Sequence, residues 1–130
     1  ALSDPSAKVC RAARRILLRG APVDPERLTF AALSSRYPHE RRAAIDLAGA
    51  HDYWVAGILL LRIAGTRDAE TAARTATALT AWESRYNRVF TKPTPRQVGE
   101  FESLVDSANV DAGLRSRLRA LVPSLRARVH

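Results

Sequence analysis

Three pairs of adjacent alanines recur along this chain at nearly constant spacing. They are Ala12-Ala13, Ala43-Ala44 and Ala72-Ala73, separated by steps of 31 and 29 residues. Each pair lies early in a stretch with the apolar spacing of a helix. Because a period of about 20 to 50 residues is typical of stacked helical hairpins, the spacing predicts a solenoid. Small side chains on these helices would allow the close approach that stacking requires.

Helix start and stop signals divide the chain into helices joined by short connections. Asp-Pro steps at 4–5 and 24–25, and Asp68 further on, are typical helix starts, because the Asp carboxylate accepts from free backbone N–H groups. Val and Ile are few and no stretch alternates with period two, so we predict no strand. The predicted helices span residues 5–19, 25–36, 39–48, 53–64, 68–90, 95–109 and 111–122.

The predicted fold is therefore all-α, a single structural domain of about seven helices. Three to four antiparallel hairpins would stack into an α-α superhelix, with repeats over residues 1–90 and a capping hairpin and tail over 91–130. The helix at 53–64 is apolar nearly all round, which predicts burial between its neighbours. Chance in an alanine-rich chain is the alternative explanation of the pairs, and the recurring start signals argue against it.

The chain is strongly basic, with 21 Lys and Arg against 13 Asp and Glu, a net charge of +8. Nearly all the cations are Arg and they are spread over both halves, which favours a solvated surface in a protein from a GC-rich bacterial genome. Nucleic-acid binding is the alternative. A lone Cys10 fits a reducing compartment, and the longest apolar run, 54–61, is too short to span a bilayer. We therefore expect a cytoplasmic protein without a membrane partner.

The segment 4–13, Asp-Pro-Ser-Ala-Lys-Val-Cys-Arg-Ala-Ala, resembles the turn and second helix of a bacterial HEAT repeat. The pattern returns in weaker form at 40–45 and at 68–73. Other helical-hairpin arrays, such as armadillo-like ones, remain open. The resemblance implies that helix 5–19 is the second helix of a repeat whose first helix is missing. The chain would then be the C-terminal portion of a longer array.

HEAT-repeat proteins usually act as non-enzymatic scaffolds. They bind proteins, and sometimes nucleic acids, along a concave face formed by the second helices. The resemblance therefore implies a protein partner, and an acidic one because this face would be basic. The side chains that would line it belong to Arg11, Arg15, Arg41, Arg42 and Arg74.

No motif in the sequence predicts catalysis. His39-Glu40 begins like the zinc-protease motif His-Glu-x-x-His, but Ala43 stands where the second His ligand would be. Cys10 is better explained as a small packing residue than as a nucleophile. HEAT-like DNA glycosylases use an acid beside aromatic residues, and Asp46, the only candidate, is assigned no role. We expect no enzyme activity, metal, cofactor or small-molecule ligand.

The end of helix 68–90 combines aromatic and basic side chains. In the alternative function, sequence-independent nucleic-acid binding, Trp82, Arg85 and Arg88 would be contacts, because rings stack on bases and guanidinium groups bind phosphates. The favoured interpretation is structural, since a chain with two Trp, three Tyr and three Phe needs its rings in the core. In that case Trp82, Tyr86 and Phe90 would pack against Val98, Phe101 and Leu104.

Overall fold

The structure is a computed structural model that describes residues 24–129. Over this range it is entirely helical, without a strand, which confirms the predicted all-α class. A single 3₁₀ turn, Tyr86–Arg88, interrupts the α-helices. The predicted helix 5–19 lies outside the described residues. The α-helices are α1 (Pro25–Ser34), α2 (Pro38–Gly49), α3 (Tyr53–Ile63), α4 (Ala69–Ser84), α5 (Pro95–Ser107), α6 (Ala112–Ala120) and α7 (Val122–Arg128).

The predicted start signals do cap helices. The Asp24 carboxylate accepts from the Glu26 N–H at 3.1 Å, and the Asp68 carboxylate accepts from the Thr71 N–H at 2.8 Å. These bonds satisfy backbone donors that have no partner within the helix. Asp52 occupies the N-cap position of α3, but its side chain makes no capping hydrogen bond.

The early ends of helices α4 and α1 differ from the predicted bounds. The helix predicted to reach residue 90 ends at Ser84, where the backbone tightens into the 3₁₀ turn. In this turn Tyr86 is buried and its hydroxyl donates to Ser124 Oγ at 2.8 Å, so a contact with α7 fixes the path of the chain. Helix α1 ends at Ser34 because the backbone is already extended at Ser35, whose hydroxyl donates to Glu40 and whose carbonyl accepts from Arg41.

The last predicted helix, 111–122, corresponds to α6, and a further helix, α7, occupies the stretch predicted as tail. Leu121 separates them with a helical backbone, and Pro123 lies in the first turn of α7. Proline lacks the N–H that a continuous helix would use, so it is tolerated at a helix start but breaks a helix interior. The prediction that Pro123 ends or kinks the helix is therefore confirmed.

The helices pack in two rows. Helices α1, α3, α5 and α7 contact one another in succession, as do α2, α4 and α6. Contacts between α1 and α2, between α3 and α4, and between α5 and α6 join the rows. Helix α3 is the most enclosed, with eight of its eleven residues buried, which confirms its predicted burial.

The alanine pairs have one buried member each in the described helices. Ala44 and Ala72 are buried, whereas Ala43 is half-buried and Ala73 is exposed. Helices α2 and α4, which carry these pairs, contact each other directly. Each of these two contacting helices therefore buries one small side chain of its pair. The first pair, Ala12-Ala13, lies outside the described residues.

Candidate functional site

Helices α2 and α4 are joined by two ion pairs with the same spacing. Arg42 Nη1 lies 2.7 Å from Glu70 Oε1, and Arg74 Nη2 lies 3.2 Å from Asp46 Oδ2. In both pairs the partners are 28 residues apart. Four residues further along α2, from 42 to 46, the partner on α4 is also four residues further along, from 70 to 74, so the two helices run parallel. We call these four side chains the α2–α4 face. Two predicted binding residues, Arg42 and Arg74, lie there, each beside a carboxylate.

Arg41, unlike the predicted binding residues Arg42 and Arg74, forms no ion pair between α2 and α4. Its guanidinium donates to the Ser35 carbonyl at 2.7 Å, and the Ser35 hydroxyl donates to Glu40 at 2.8 Å. These bonds close the connection between α1 and α2, so Arg41 has a local structural partner. Arg11 and Arg15 lie outside the described residues.

Trp82 lies in the core with 1% of its surface exposed. Its ring stacks on Tyr53, with centroids 4.4 Å apart, and lies 5.7 Å from the ring of Phe101. Because both ring faces are enclosed by protein, Trp82 has no free surface for a nucleic-acid base. Packing against Phe101 agrees with the structural interpretation of Trp82, and the burial of Tyr86 agrees with it as well.

Phe90 does not pack as the sequence predicts. Its side chain is 95% exposed, the largest exposure of any large apolar residue between 24 and 129. The prediction assumed that α4 continues to residue 90, which would place Phe90 on the same stripe as Trp82 and Tyr86. The early end of α4 and the extended backbone at Val89 turn Phe90 away from the core.

The residues around Phe90 form a basic segment, residues 85–92. Arg85, Arg88 and Lys92 are exposed, and none of them forms an ion pair or side-chain hydrogen bond with a residue from 24 to 129. Between Glu83 and Glu100 the sequence contains no acidic residue. The segment is therefore a positively charged surface that no acidic side chain of residues 24–129 pairs with.

Besides the hydrogen bond from Tyr86 to Ser124, three contacts hold the basic segment on the helices. The Arg128 guanidinium lies over the Tyr86 ring, 4.7 Å from its centroid, and donates to the Val89 carbonyl at 3.4 Å. The Trp54 indole donates to Thr91 Oγ1 at 3.0 Å. Fixed points therefore lie on both sides of Phe90. Nothing in the sequence pattern signals this arrangement, because the partners lie in α3 and α7.

A shallow groove of about 280 Å³ lies beside the basic segment, between α5 and α7. Pro95, Val98, Gly99 and Val129 form an apolar floor, and an ion pair between Glu102 and Arg126 lies at its edge. We call this the α5–α7 groove. Val129 lines the groove, and the preceding residue, Arg128, donates to the carbonyl of Val89, the chain neighbour of Phe90.

Within residues 24–129 the pKa is shifted at two groups, Tyr53 and Asp68, and both shifts have structural causes. Burial raises the pKa of the Tyr53 hydroxyl, which also donates to the Trp82 carbonyl at 2.7 Å. Hydrogen bonds from the Thr71 hydroxyl and N–H lower the pKa of Asp68. Neither group lies on the α2–α4 face or in the basic segment, so these shifts concern folding.

Residues 24–129 contain no cluster of three metal-binding side chains. Over the same range, no helix combines the length and the apolar character needed to cross a bilayer. Cys10 lies outside the described residues. Comparison with known proteins found no match to this chain among family models, curated proteins or solved structures.

Proposed function

We propose that this chain is part of a HEAT-like helical array and that it is a non-enzymatic module for binding an acidic protein. The observation that carries the proposal is the α2–α4 face. Two helices that follow the same alanine pattern lie parallel and are joined at one repeated offset of 28 residues. Successive second helices in stacked hairpins have this relationship, and such arrays present extended binding surfaces.

The ion pairs of the α2–α4 face do not prevent Arg42 and Arg74 from binding a partner. Their side chains are 42% and 43% exposed. Exposed pairs of this kind contribute only about 0 to 1 kcal/mol, so an acidic partner can replace Glu70 or Asp46 at small cost. We propose that Arg41, Arg42 and Arg74, together with Arg11 and Arg15, guide an acidic protein to this surface.

The proposal is tested by charge reversal at matched sites. Partners captured by the wild-type chain are compared with those captured by R42E/R74E and by the control R27E/R67E, which changes the net charge equally. Arg27 and Arg67 are exposed and form no ion pair with residues 24–129. We expect only R42E/R74E to lose acidic partners. Equal capture by both variants would exclude the α2–α4 face.

Nucleic-acid binding is the second candidate function, favoured by the uncompensated cations of the basic segment. Arg85 and Arg88 would bind phosphates, and exposed Phe90 would replace buried Trp82 as the stacking ring. With two phosphate contacts to a single strand, the logarithm of the affinity should fall against the logarithm of the salt concentration with a slope of about −1.4. Fluorescence anisotropy with a labelled oligonucleotide measures this slope, and the absence of a complex at low salt would exclude this function.

A further inference from the structure

The α5–α7 groove and the adjacent Phe90 provide an apolar surface next to a strongly basic one. Val98 and Val129 lie on the groove floor, and Gly99 adds no side chain to fill it. Phe90 is held in the open because the chain is fixed on both sides of it, at Tyr86 and at Thr91. An exposed apolar side chain in a fixed position next to a groove is typical of an interaction site.

The charge around this surface identifies its occupant. Arg85, Arg88 and Lys92 form no ion pair with residues 24–129, whereas the nearby Arg96 lies 3.8 Å from Glu100. A second copy of the chain would bring the same cations against them, and like charges across an interface oppose association. The partner must therefore be acidic.

A protein segment fits this surface better than a nucleic acid does. Nucleic-acid strands usually stack successive bases on several rings, and in this region Phe90 is exposed while Trp82 and Tyr86 are buried. The apolar floor of the groove offers phosphates no cation, apart from Arg126, which is paired with Glu102. Apolar side chains flanked by carboxylates match both the floor and the basic segment.

We infer that the α5–α7 groove binds an acidic segment of a partner protein, with its apolar side chains on Pro95, Val129 and Phe90. The carboxylates of the segment pair with Arg85, Arg88 and Lys92. This inference rests on the proposed protein-binding function but assigns it a surface separate from the α2–α4 face. Phe90 is the aromatic anchor, the kind of residue that carries most of the binding energy in protein interfaces.

The test uses the full chain and a labelled amphipathic peptide of about 15 residues, with Leu and Phe on one face and Glu on the other. A second peptide replaces Leu and Phe by Ser, and an oligonucleotide of about 20 bases provides the comparison with nucleic acid. Affinities are measured for F90S and G99E. A Cβ at Gly99 meets no atom within 4 Å, so Glu at this position enters the groove without disturbing the fold.

Each variant has a matched control. F30S removes another exposed phenylalanine, on α1, and G49E adds a carboxylate at another helical glycine whose Cβ meets nothing within 4 Å. We expect F90S and G99E to weaken binding of the amphipathic peptide about tenfold or more, and F30S and G49E to leave it unchanged. The Ser-substituted peptide should bind at least about tenfold more weakly than the amphipathic one.

Three results would overturn the inference. Equal affinity of F90S, G99E and the wild type for the peptide would show that it binds elsewhere; if R42E/R74E then weakens binding, the proposed function survives on the α2–α4 face. If the oligonucleotide bound more tightly than the amphipathic peptide, and if F90S weakened that binding, the surface would be assigned to nucleic acid. If neither peptide nor oligonucleotide binds, the groove is not a site for either class, whereas the capture experiment still decides the proposed function.

Discussion

Tyr53 and Trp82 exchange hydrogen bonds across two helices. The Tyr53 hydroxyl donates to the Trp82 carbonyl and the Trp82 indole donates to the Tyr53 carbonyl, each at 2.7 Å, while their rings lie nearly parallel at 12°. The start of α3 is thereby bound to the end of α4. This contact fixes the position at which α4 stops and the basic segment begins.

Replacing Tyr53 by Phe should lower the free energy of unfolding by about 1 kcal/mol, because the Trp82 carbonyl loses a donor in a partly buried site. Urea unfolding followed by circular dichroism measures the change. Tyr37→Phe is the control, since the Tyr37 hydroxyl donates to no residue between 24 and 129. Equal stability of Tyr53→Phe and the wild type would show that the paired hydrogen bonds contribute nothing.

Gly57 should tolerate no larger residue. A Cβ there would lie 2.5 Å from Trp82 Cζ2, and the ring cannot move without losing its bond to Tyr53. Overpacking typically costs about 1 to 3 kcal/mol, which exceeds the gain of about 1 kcal/mol from replacing a helical glycine.

Gly57→Ala should therefore lower the melting temperature, and Gly99→Ala should raise it. Both glycines lie inside helices, but a Cβ at Gly99 meets no atom within 4 Å. Differential scanning calorimetry compares the two. A gain in stability from Gly57→Ala would contradict the close packing of α3 against Trp82.

Asp68 should make stability depend on pH in the acidic range. Its lowered pKa means that the folded state favours the carboxylate, so the stabilisation is complete above the ordinary value of 3.8 and disappears as the pH falls below it. Asp68→Asn keeps a capping oxygen but cannot titrate, so its melting temperature should fall less steeply below pH 4 than that of the wild type.

Asp52 is the control for the capping hydrogen bond of Asp68, because it occupies an N-cap position without making such a bond. Asp68→Ala should lower the melting temperature at pH 7, because the Thr71 N–H loses its acceptor. Asp52→Ala should change it much less, since Asp52 makes no capping hydrogen bond. Equal losses in the two variants would mean that capping by Asp68 is not the stabilising interaction.

The parallel register of α2 and α4 can be tested by exchanging charges. R42E should lower the free energy of unfolding because it places a second carboxylate beside Glu70. R42E/E70R should recover the lost stability because it re-forms the ion pair with the charges exchanged. The coupling energy for such exposed pairs is about 0.2 to 1 kcal/mol and decreases with salt. Absence of coupling in a double-mutant cycle at low salt would contradict the register.

The helices of residues 24–129 were predictable from local signals. Asp24 and Asp68 cap helices as their sequence context indicates, and apolar composition predicted the burial of α3. The apolar stripe of its helix also predicted that Trp82 lies in the core. These features depend on residues within a few positions of one another, so periodicity and capping chemistry determine them.

The candidate surfaces were not predictable in the same way. Phe90 is exposed because α4 ends early, and the bond that fixes the turn joins Tyr86 to Ser124, 38 residues away. Pairing of Arg42 with Glu70 depends on the register of two helices, which the composition of either helix does not determine. Long-range contacts therefore decide which of the predicted arginines are paired and which are available.

Both tryptophans of the chain, Trp54 and Trp82, lie in one aromatic cluster, with ring centroids 6.2 Å apart. Tryptophan emission therefore reports on the junction of α3, α4 and α5 and on the adjoining basic segment and α7. Local opening of α1 and α2 would leave the emission spectrum unchanged while it alters circular dichroism and amide exchange. Disagreement between optical probes during unfolding would thus reveal stepwise loss of hairpins, and their coincidence would show that the two rows melt as one cooperative unit.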